Sequence, residues 1–287
     1  MPPASLPFLC AGAAHWDVIG RTSLPLPPGA DVPGRVRRQP GGVAQNIARA
    51  LAALGRPVLL VAAIGRDAAG DELAADLAAA GIGTAALHRH DGRTDSYLAV
   101  EGPGGALVAG IADCTSLERV GETLLGPLPH GHLVLDGNLP LPVLAAFLDR
   151  PAASLALVPA SPEKAARLAG PLARALAARP LALYLNRAEA EALAGRPFPD
   201  TRAAAAALLA LGAAEALVTD GPRPATAAGP TGAVTLAPPP VAAASVTGAG
   251  DALVATHLSA RTAGDDPETA LAAALTAAAR HIAREPA

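Results

Sequence analysis

The stretch SVTGAGDALVA, residues 245–255, sets Thr247, Gly248, Ala249 and Gly250 in a row, follows them with one carboxylate, Asp251, and runs straight into an apolar segment. Two readings fit. In one, a loop closes onto a helix and Asp251 is an ordinary capping residue. In the other, successive backbone N–H groups from Gly248 to Gly250, at the head of the helix formed by DALVATHLSA, make an anion site with the helix dipole behind it. A carboxylate there would repel the anion if binding were the loop's only task. It makes sense where Asp251 takes a proton from a hydroxyl while the N–H groups hold the charge on a phosphoryl group in flight. The pattern is not a P-loop: the chain has no G-x-x-x-x-G-K-[ST], and the third glycine of G-x-G-x-x-G is missing after GAGD.

A second glycine turn lies early in the chain, in QPGGVAQNIARALAALG. Ile47, Leu51 and Leu54 recur at helical spacing and Gly55 suits the C′ position, which predicts a helix from near Val43 to Gly55. Gly41 and Gly42 then precede its N-terminus, where glycine lets backbone approach a ligand closely. The Asn46 amide, in the first turn, can donate to and accept from hydroxyls. A tight strand-to-helix connection explains the glycines equally well.

The elements that must position these residues follow from hydrophobic runs. PFLCAG, PVLLVAAIG, HLVLDG, SLALVP, LALYLN and ALVTDG read as buried parallel strands, each followed by an Ala/Leu-rich helical stretch. That alternation predicts an α/β sheet covered on both faces. Polar residues collect where strands end: Asp136 and Asn138, Asn186, Thr219 and Asp220. In open α/β sheets the ligand crevice lies outside the carboxyl ends of the strands, so these residues either line it or cap helices. Two segments interrupt the alternation. TDSYLAVEGPGGALVAGI predicts a β-hairpin with Glu101 to Gly105 at its tip, and the Pro/Gly-rich DVIGRTSLPLPPGADVPGRVRRQPGG is too irregular for a core helix. Together they predict a small β-structured flap of the kind that excludes water from a reaction.

The 287 residues suffice for one large domain, and the net charge of −3 gives no basic field for nucleic acid. Two cysteines, Cys10 and Cys114, make no disulfide framework or metal spacing, which fits a reducing cytoplasm. The start lacks a basic n-region and no apolar run is long enough to span a bilayer, so no membrane association is expected.

GGVAQNIARALAALG and VTGAGDALVA resemble the two signature regions of the ribokinase-like (PfkB) carbohydrate and nucleoside kinases. NRAE resembles that family's Asn-x-x-Glu element and GRDAAGD its G-x-D-x-x-G turn, in the family's order across nearly the whole chain. PGGVAQN, LVAGIADC, DGNLP, SPEKAARL and NRAEAEAL are together similar to the branch that phosphorylates the 5′-hydroxyl of pseudouridine with ATP and magnesium. The resemblance implies one ribokinase-like α/β domain over 1–287, a three-layer sandwich with a mostly parallel central sheet and a β-lid from about 15–40 and 90–113. It implies a cytoplasmic homodimer paired through the lid, acting on a nucleoside or sugar.

Carried over residue by residue, the resemblance makes Asp251 the base and Gly248, Ala249 and Gly250 the anion hole. Asp17, Gly41, Gly42 and Asn46 hold the ribose, with Thr94, Ser96 and His15 toward the base. Asn186, Thr219, Gly221, Thr247 and Lys164 face ATP, and Asn186 and Glu189 organise Mg2+ through water. This chain also departs from the pattern. Ser245 stands where many relatives carry an Asp tied to monovalent-cation binding, which leaves K+ activation open. His15 and Trp16 replace the Asn-x of N-x-D, and Val158 and Pro224 change the adenine side. The alternatives are a kinase of another sugar or nucleoside, such as ribose, adenosine or a phosphorylated hexose, and a catalytically silent nucleoside binder.

Overall fold

The computed structural model describes residues 5–29, 31–241 and 248–283. The first part of the chain forms β1 (Phe8–Ala11), β2 (His15–Arg21), β3 (Arg35–Gly41), α1 (Val43–Ala53), β4 (Val58–Gly65), α2 (Ala68–Ala79) and β5 (Leu87–His90). The middle forms β6 (Ser96–Glu101), β7 (Leu107–Asp113), α3 (Ser116–Val120), β8 (His132–Asp136), α4 (Leu141–Asp149), β9 (Ser154–Val158), α5 (Pro162–Arg167) and α6 (Ala169–Ala178). The rest forms β10 (Ala182–Asn186), α7 (Arg187–Ala194), α8 (Thr201–Ala210), β11 (Glu215–Asp220), β12 (Arg223–Gly229), β13 (Gly232–Leu236), α9 (Ala249–Ala263) and α10 (Pro267–Ala283).

Nine strands make one sheet in the order β13-β12-β11-β10-β9-β8-β1-β4-β5. From β5 to β11 all pairs are parallel, and β12 and β13 close that edge as an antiparallel hairpin. The six apolar runs of the sequence are its six central strands. β1 shows why their interiors are apolar: Phe8 and Cys10 join the core beneath α1, α9 and α10, while Leu9 and Ala11 join the core beneath α4 to α8, so all four are buried. Two helical layers thus sandwich the sheet. The sequence does not reveal β5, β12 and β13: β5 and β13 are edge strands, which need no continuous apolar run, and β12, though buried over 225–228, is built of alanine and threonine with no large apolar side chain. LHRH and RPATAAG carry none.

A second, four-stranded sheet has the order β3-β2-β6-β7, with β2 and β6 parallel and the other pairs antiparallel. Glu101, expected at the hairpin tip, is instead the last residue of β6, and the tip runs from Gly102 to Ala106. One carboxylate pins this sheet to the body of the protein and another closes its β6–β7 hairpin at the base. Asp67 caps α2 by accepting the Gly70 N–H at 2.9 Å and also accepts the Thr94 hydroxyl at 2.5 Å and its N–H at 3.0 Å, just before β6. Asp95 accepts the Thr115 and Ser116 N–H groups at 3.0 and 3.1 Å and the Ser116 hydroxyl at 2.7 Å, just after β7. The GRDAAGD turn is therefore an anchor for the small sheet.

Among the described residues no helix is long and apolar enough to cross a membrane. The crevice end of the large sheet is tied by Asp136, at the end of β8, which accepts the Ala13 N–H at 2.9 Å and the Asn138 N–H at 2.8 Å. Gly12 makes room for that carboxylate: its φ is 151°, and a Cβ there would lie 2.3 Å from the Asp136 Cβ. Overpacking at a fixed backbone costs about 1–3 kcal/mol. Gly12→Ala is therefore expected to lower the unfolding free energy by about that amount, read as a reduced urea midpoint at unchanged slope.

Candidate active site

Asp251 sits in the first turn of α9, behind Gly248, which is left-handed at φ 81°. No side chain caps α9, so among the described residues the first N–H groups of the helix have no cap partner. A Cβ on Gly250 would meet nothing within 4 Å, which leaves open space for a group to approach those N–H groups. The Asn46 Nδ2, on the first turn of α1, donates to Asp251 Oδ2 at 2.8 Å across 205 positions of sequence.

Burial pushes the Asp251 carboxyl up from 3.8 to about 7; the Asn46 hydrogen bond opposes this, and Asp136, Glu189 and Asp17 reinforce it. A helix N-terminus favours the ionised form by at most about 2 kcal/mol. A net shift of three units corresponds to about 4 kcal/mol in the other direction, so desolvation and carboxylate crowding win. The result is a carboxylate poised to exchange a proton near neutrality.

Two cavities meet at Asp251. The larger, about 800 Å³, lies between the two sheets and is lined by His15, Asp17, Gly42, Asn46, Asn138, Lys164, Gly248 and Asp251, with Tyr97, Glu101 and Arg21 of the small sheet. Asp17 is 5% exposed and its Oδ1 lies 3.1 Å from His15 Nδ1. Gly41, paired with His15 in the strand register, is required there because a Cβ would lie 2.2 Å from Asp17 Oδ1. Gly42, at φ 98°, lies against the Ala13 carbonyl in the same way. The Lys164 Nζ donates to Asn138 Oδ1 at the cavity wall.

The smaller cavity, about 160 Å³, is lined by Asn186, Glu189, Thr219, Gly250, Asp251 and Val158 among others. Asn186 and Glu189 form a capping box at the start of α7: Asn186 Oδ1 accepts the Glu189 N–H at 2.9 Å, and Glu189 Oε2 accepts the Asn186 N–H at 2.8 Å. Their spacing of three is thus first a helix-capping pattern. The box leaves Glu189 Oε1 and Asn186 Nδ2 for the cavity. Burial raises the Glu189 carboxyl, and the Asn186 N–H opposes the rise.

Several residues lie elsewhere than the sequence reading put them. Thr94 is 8% exposed with its hydroxyl engaged by Asp67, and neither Thr94 nor Ser96 lines the large cavity. Tyr97 and Glu101 do instead, because alternate residues of β6 face inward and Ser96 points the other way. Lys164 lines the Asp17 cavity, not the one holding Asn186. Gly221 is exposed on the turn after β11, outside both cavities. Thr247 and Ser245 lie outside the described residues. Ala160, unremarked in the sequence, lines both cavities at φ 74°, the one non-glycine residue with positive φ among those described. No sequence signal marks it.

The Asp251 shift makes a stability prediction. Its folded pKa lies above its unfolded value, so the native state binds the extra proton and loses stability as pH rises from about 4 to about 7. Asp251→Asn removes that penalty. Its gain over the parent chain in urea melts is expected to be absent near pH 4, to grow through pH 7 and to level off above it, with a ceiling of about 4 kcal/mol.

The chain matches the family described as pfkB family carbohydrate kinase over residues 8–286. It is 30% identical over 193 residues to the pseudouridine kinase of Escherichia coli (strain K12), covering 64% of this chain and 59% of that one. The chain spans less than two thirds of the length of the curated relatives it matches, an uncharacterised sugar kinase of the same bacterium among them. Among solved structures it superposes on a carbohydrate kinase from Agrobacterium tumefaciens with a TM-score of 0.79, at 30% identity, covering 96% of this chain and 90% of that one. Arabidopsis thaliana ribokinase complexed with ribose and ATP shares the fold alone, with a TM-score of 0.74 at 20% identity over 99% of this chain and 94% of that one. With signature turns, fold and family match in agreement, the chain belongs to the pfkB family of carbohydrate kinases.

Proposed function

We propose that this protein transfers the γ-phosphoryl group of ATP to a hydroxyl of a ribose-bearing substrate, and that the substrate is pseudouridine, phosphorylated at its 5′-hydroxyl. The observation that carries the reading is the position of Asp251, buried at the N-terminus of α9, which no side chain caps among the described residues, where two cavities meet. A base shared by an acceptor cavity and a donor cavity is what an in-line transfer needs. The resemblance of the motifs to the pseudouridine branch, and the similarity to a pseudouridine kinase, support the choice of substrate.

In this reading Asp17 accepts hydrogen bonds from the ribose hydroxyls and fixes the sugar with its reactive oxygen toward Asp251. Asn46 holds the Asp251 carboxylate in one orientation. Asp251 takes the hydroxyl proton as the oxygen attacks phosphorus, and the N–H groups following Gly248 hold the charge that grows on the phosphoryl oxygens. The small sheet covers the acceptor and excludes water. Asn186 and Thr219 border the nucleotide. Among the described residues no cluster of three or more His, Cys, Asp or Glu could cage a metal. The free Glu189 oxygen is a hard donor that fits Mg2+ held mainly by phosphates and water, where the ion would neutralise phosphate charge. Ser245, which bears on K+, lies outside the described residues.

The reading is tested by ADP release from ATP and Mg2+ with pseudouridine, uridine, adenosine and ribose in parallel. Pseudouridine is expected to be preferred, and kcat/KM to fall below about pH 7 as Asp251 takes up its proton. Asp251→Asn is expected to lose about three to five orders of magnitude in turnover while still binding nucleoside. Turnover within tenfold of the parent would remove Asp251 as the base.

The outer face of the small sheet carries Val36 on β3, Leu98 on β6 and Ile111 on β7, 77%, 41% and 63% exposed, with β3 and β7 as its two open edges. An exposed apolar sheet with an open edge invites pairing. We propose that a second copy covers it. Ile111→Glu is expected to shift the protein from dimer to monomer in light scattering at micromolar concentration, and a parent chain already monomeric there would end this proposal.

A further inference from the structure

The inner face of the small sheet changes character along its length. On β2 the inward residues run Asp17, Ile19, Arg21, and on β6 their register partners run Tyr97, Ala99, Glu101. Asp17 marks the end beside Asp251 and Asn46. Arg21 and Glu101 mark the other, under the hairpin tip, where Gly105 sits over the guanidinium with its Cβ position 3.3 Å from Arg21 Nη2. Between them Ile19 and Ala99 are apolar and the Tyr97 ring lies against Gly110, whose Cβ would lie 2.5 Å from the Tyr97 hydroxyl, while Arg37 of β3, in register with Ile19, brings a cation near Glu101, Arg21 and Asp17 from the neighbouring strand.

Four residue steps along β2 separate the polar ends, about 13 Å at the rise of a β-strand. A free pentose cannot bridge that length. A pentose carrying a planar heterocycle can, with the ring against Tyr97 and its far edge at Arg21 and Glu101. The ion pair is built so that it can also meet a ligand. Glu101 Oε2 takes both Arg21 contacts, from Nε at 2.6 Å and Nη2 at 2.6 Å. Among the described residues Glu101 Oε1 and Arg21 Nη1 then have no protein partner, and neither is among the buried unpaired atoms. An acceptor thus stands beside a donor at the end of the trough.

We propose that Arg21 and Glu101 determine acceptor specificity by reading the far edge of the substrate base, selecting a ring that presents an N–H next to a C=O. The Glu101 carboxylate accepts from the ring N–H and the Arg21 guanidinium donates to the carbonyl. The inference rests on the reading of the Asp17 cavity as the acceptor site, and it names the feature of the acceptor that the far end selects.

The test is calorimetric binding, without ATP, of ribose, uridine, pseudouridine and 3-methyluridine, in which a methyl replaces the ring N–H. The parent protein is expected to bind uridine about 10- to 100-fold more tightly than 3-methyluridine, the loss that follows when a charged acceptor is left unmatched, and pseudouridine more tightly than ribose. In Glu101→Gln the preference for uridine over its methylated form is expected to shrink toward unity, and Arg21→Ala is expected to weaken both nucleosides, with thermal melts reporting whether each variant is folded. A parent protein that binds the methylated and unmethylated nucleosides alike overturns the proposal without reliance on any variant. So does a folded Glu101→Gln that keeps the full preference. ADP release separates the two readings: no turnover with a retained binding preference defeats the kinase reading and leaves this one, and brisk turnover with no preference does the reverse.

Discussion

The hydrogen bond from Asn46 to Asp251 is the constraint on which the site depends. It joins the first turns of α1 and α9, which pack side by side on one face of the sheet through Ile47, Leu51, Leu253 and Leu258. Burying a carboxylate there is unfavourable, and its raised pKa records that penalty. The fold tolerates it because the two helices are held by apolar packing worth far more than one ion's desolvation: each fully buried Leu or Ile contributes about 1.5–3 kcal/mol. Function is thus supported by stability generated elsewhere in the sandwich.

The same trade recurs around the crevice. Gly12, Gly41 and Gly42 contribute no packing of their own, but each gives up a side chain so that Asp136, Asp17 or the Ala13 carbonyl can come close. Asp136, Glu189 and Asp17 lie near enough to Asp251 to raise its carboxyl together, and Lys164 in the larger cavity opposes the corresponding rise at Asp136. Such an arrangement is unfavourable for the empty protein and favourable for cationic or proton-donating occupants, which is the sense of a preorganised site. The Asn186–Glu189 capping box serves both ends: it closes two orphan N–H groups of α7 and presents the remaining carboxylate oxygen to the smaller cavity.

The small sheet owes its placement to Asp67 and Asp95, whose hydrogen bonds fix the chain on either side of the β6–β7 hairpin. Between those anchors its contacts with the body of the protein are few, and β7 is exposed along its whole length. A cover held at its base over the larger cavity can shift without disturbing the core, because the strands that would have to bend are not the strands that carry the packing.

Sequence alone determined the elements whose signal is local. Six strands buried on both faces read as uninterrupted apolar runs, α1 was bounded correctly by its glycines, and Asp251 stood out because a carboxylate beside a glycine-rich helix start is chemically odd. The edge strands β5 and β13 were silent, since half-solvated strands carry no such run, and so was β12, whose buried centre is alanine and threonine. Only the tertiary structure decided which polar groups meet. Asn46 and Asp251 are 205 positions apart, Arg21 and Glu101 are 80 apart, and no local pattern encodes either pairing. It likewise turned Thr94 away from the larger cavity toward Asp67, and placed Lys164 in the cavity with Asp17. Side-chain direction in a strand alternates with every residue, so a one-position difference between Ser96 and Tyr97 decides which of them faces a ligand, and that choice is made by strand pairing across the fold rather than by the residues themselves.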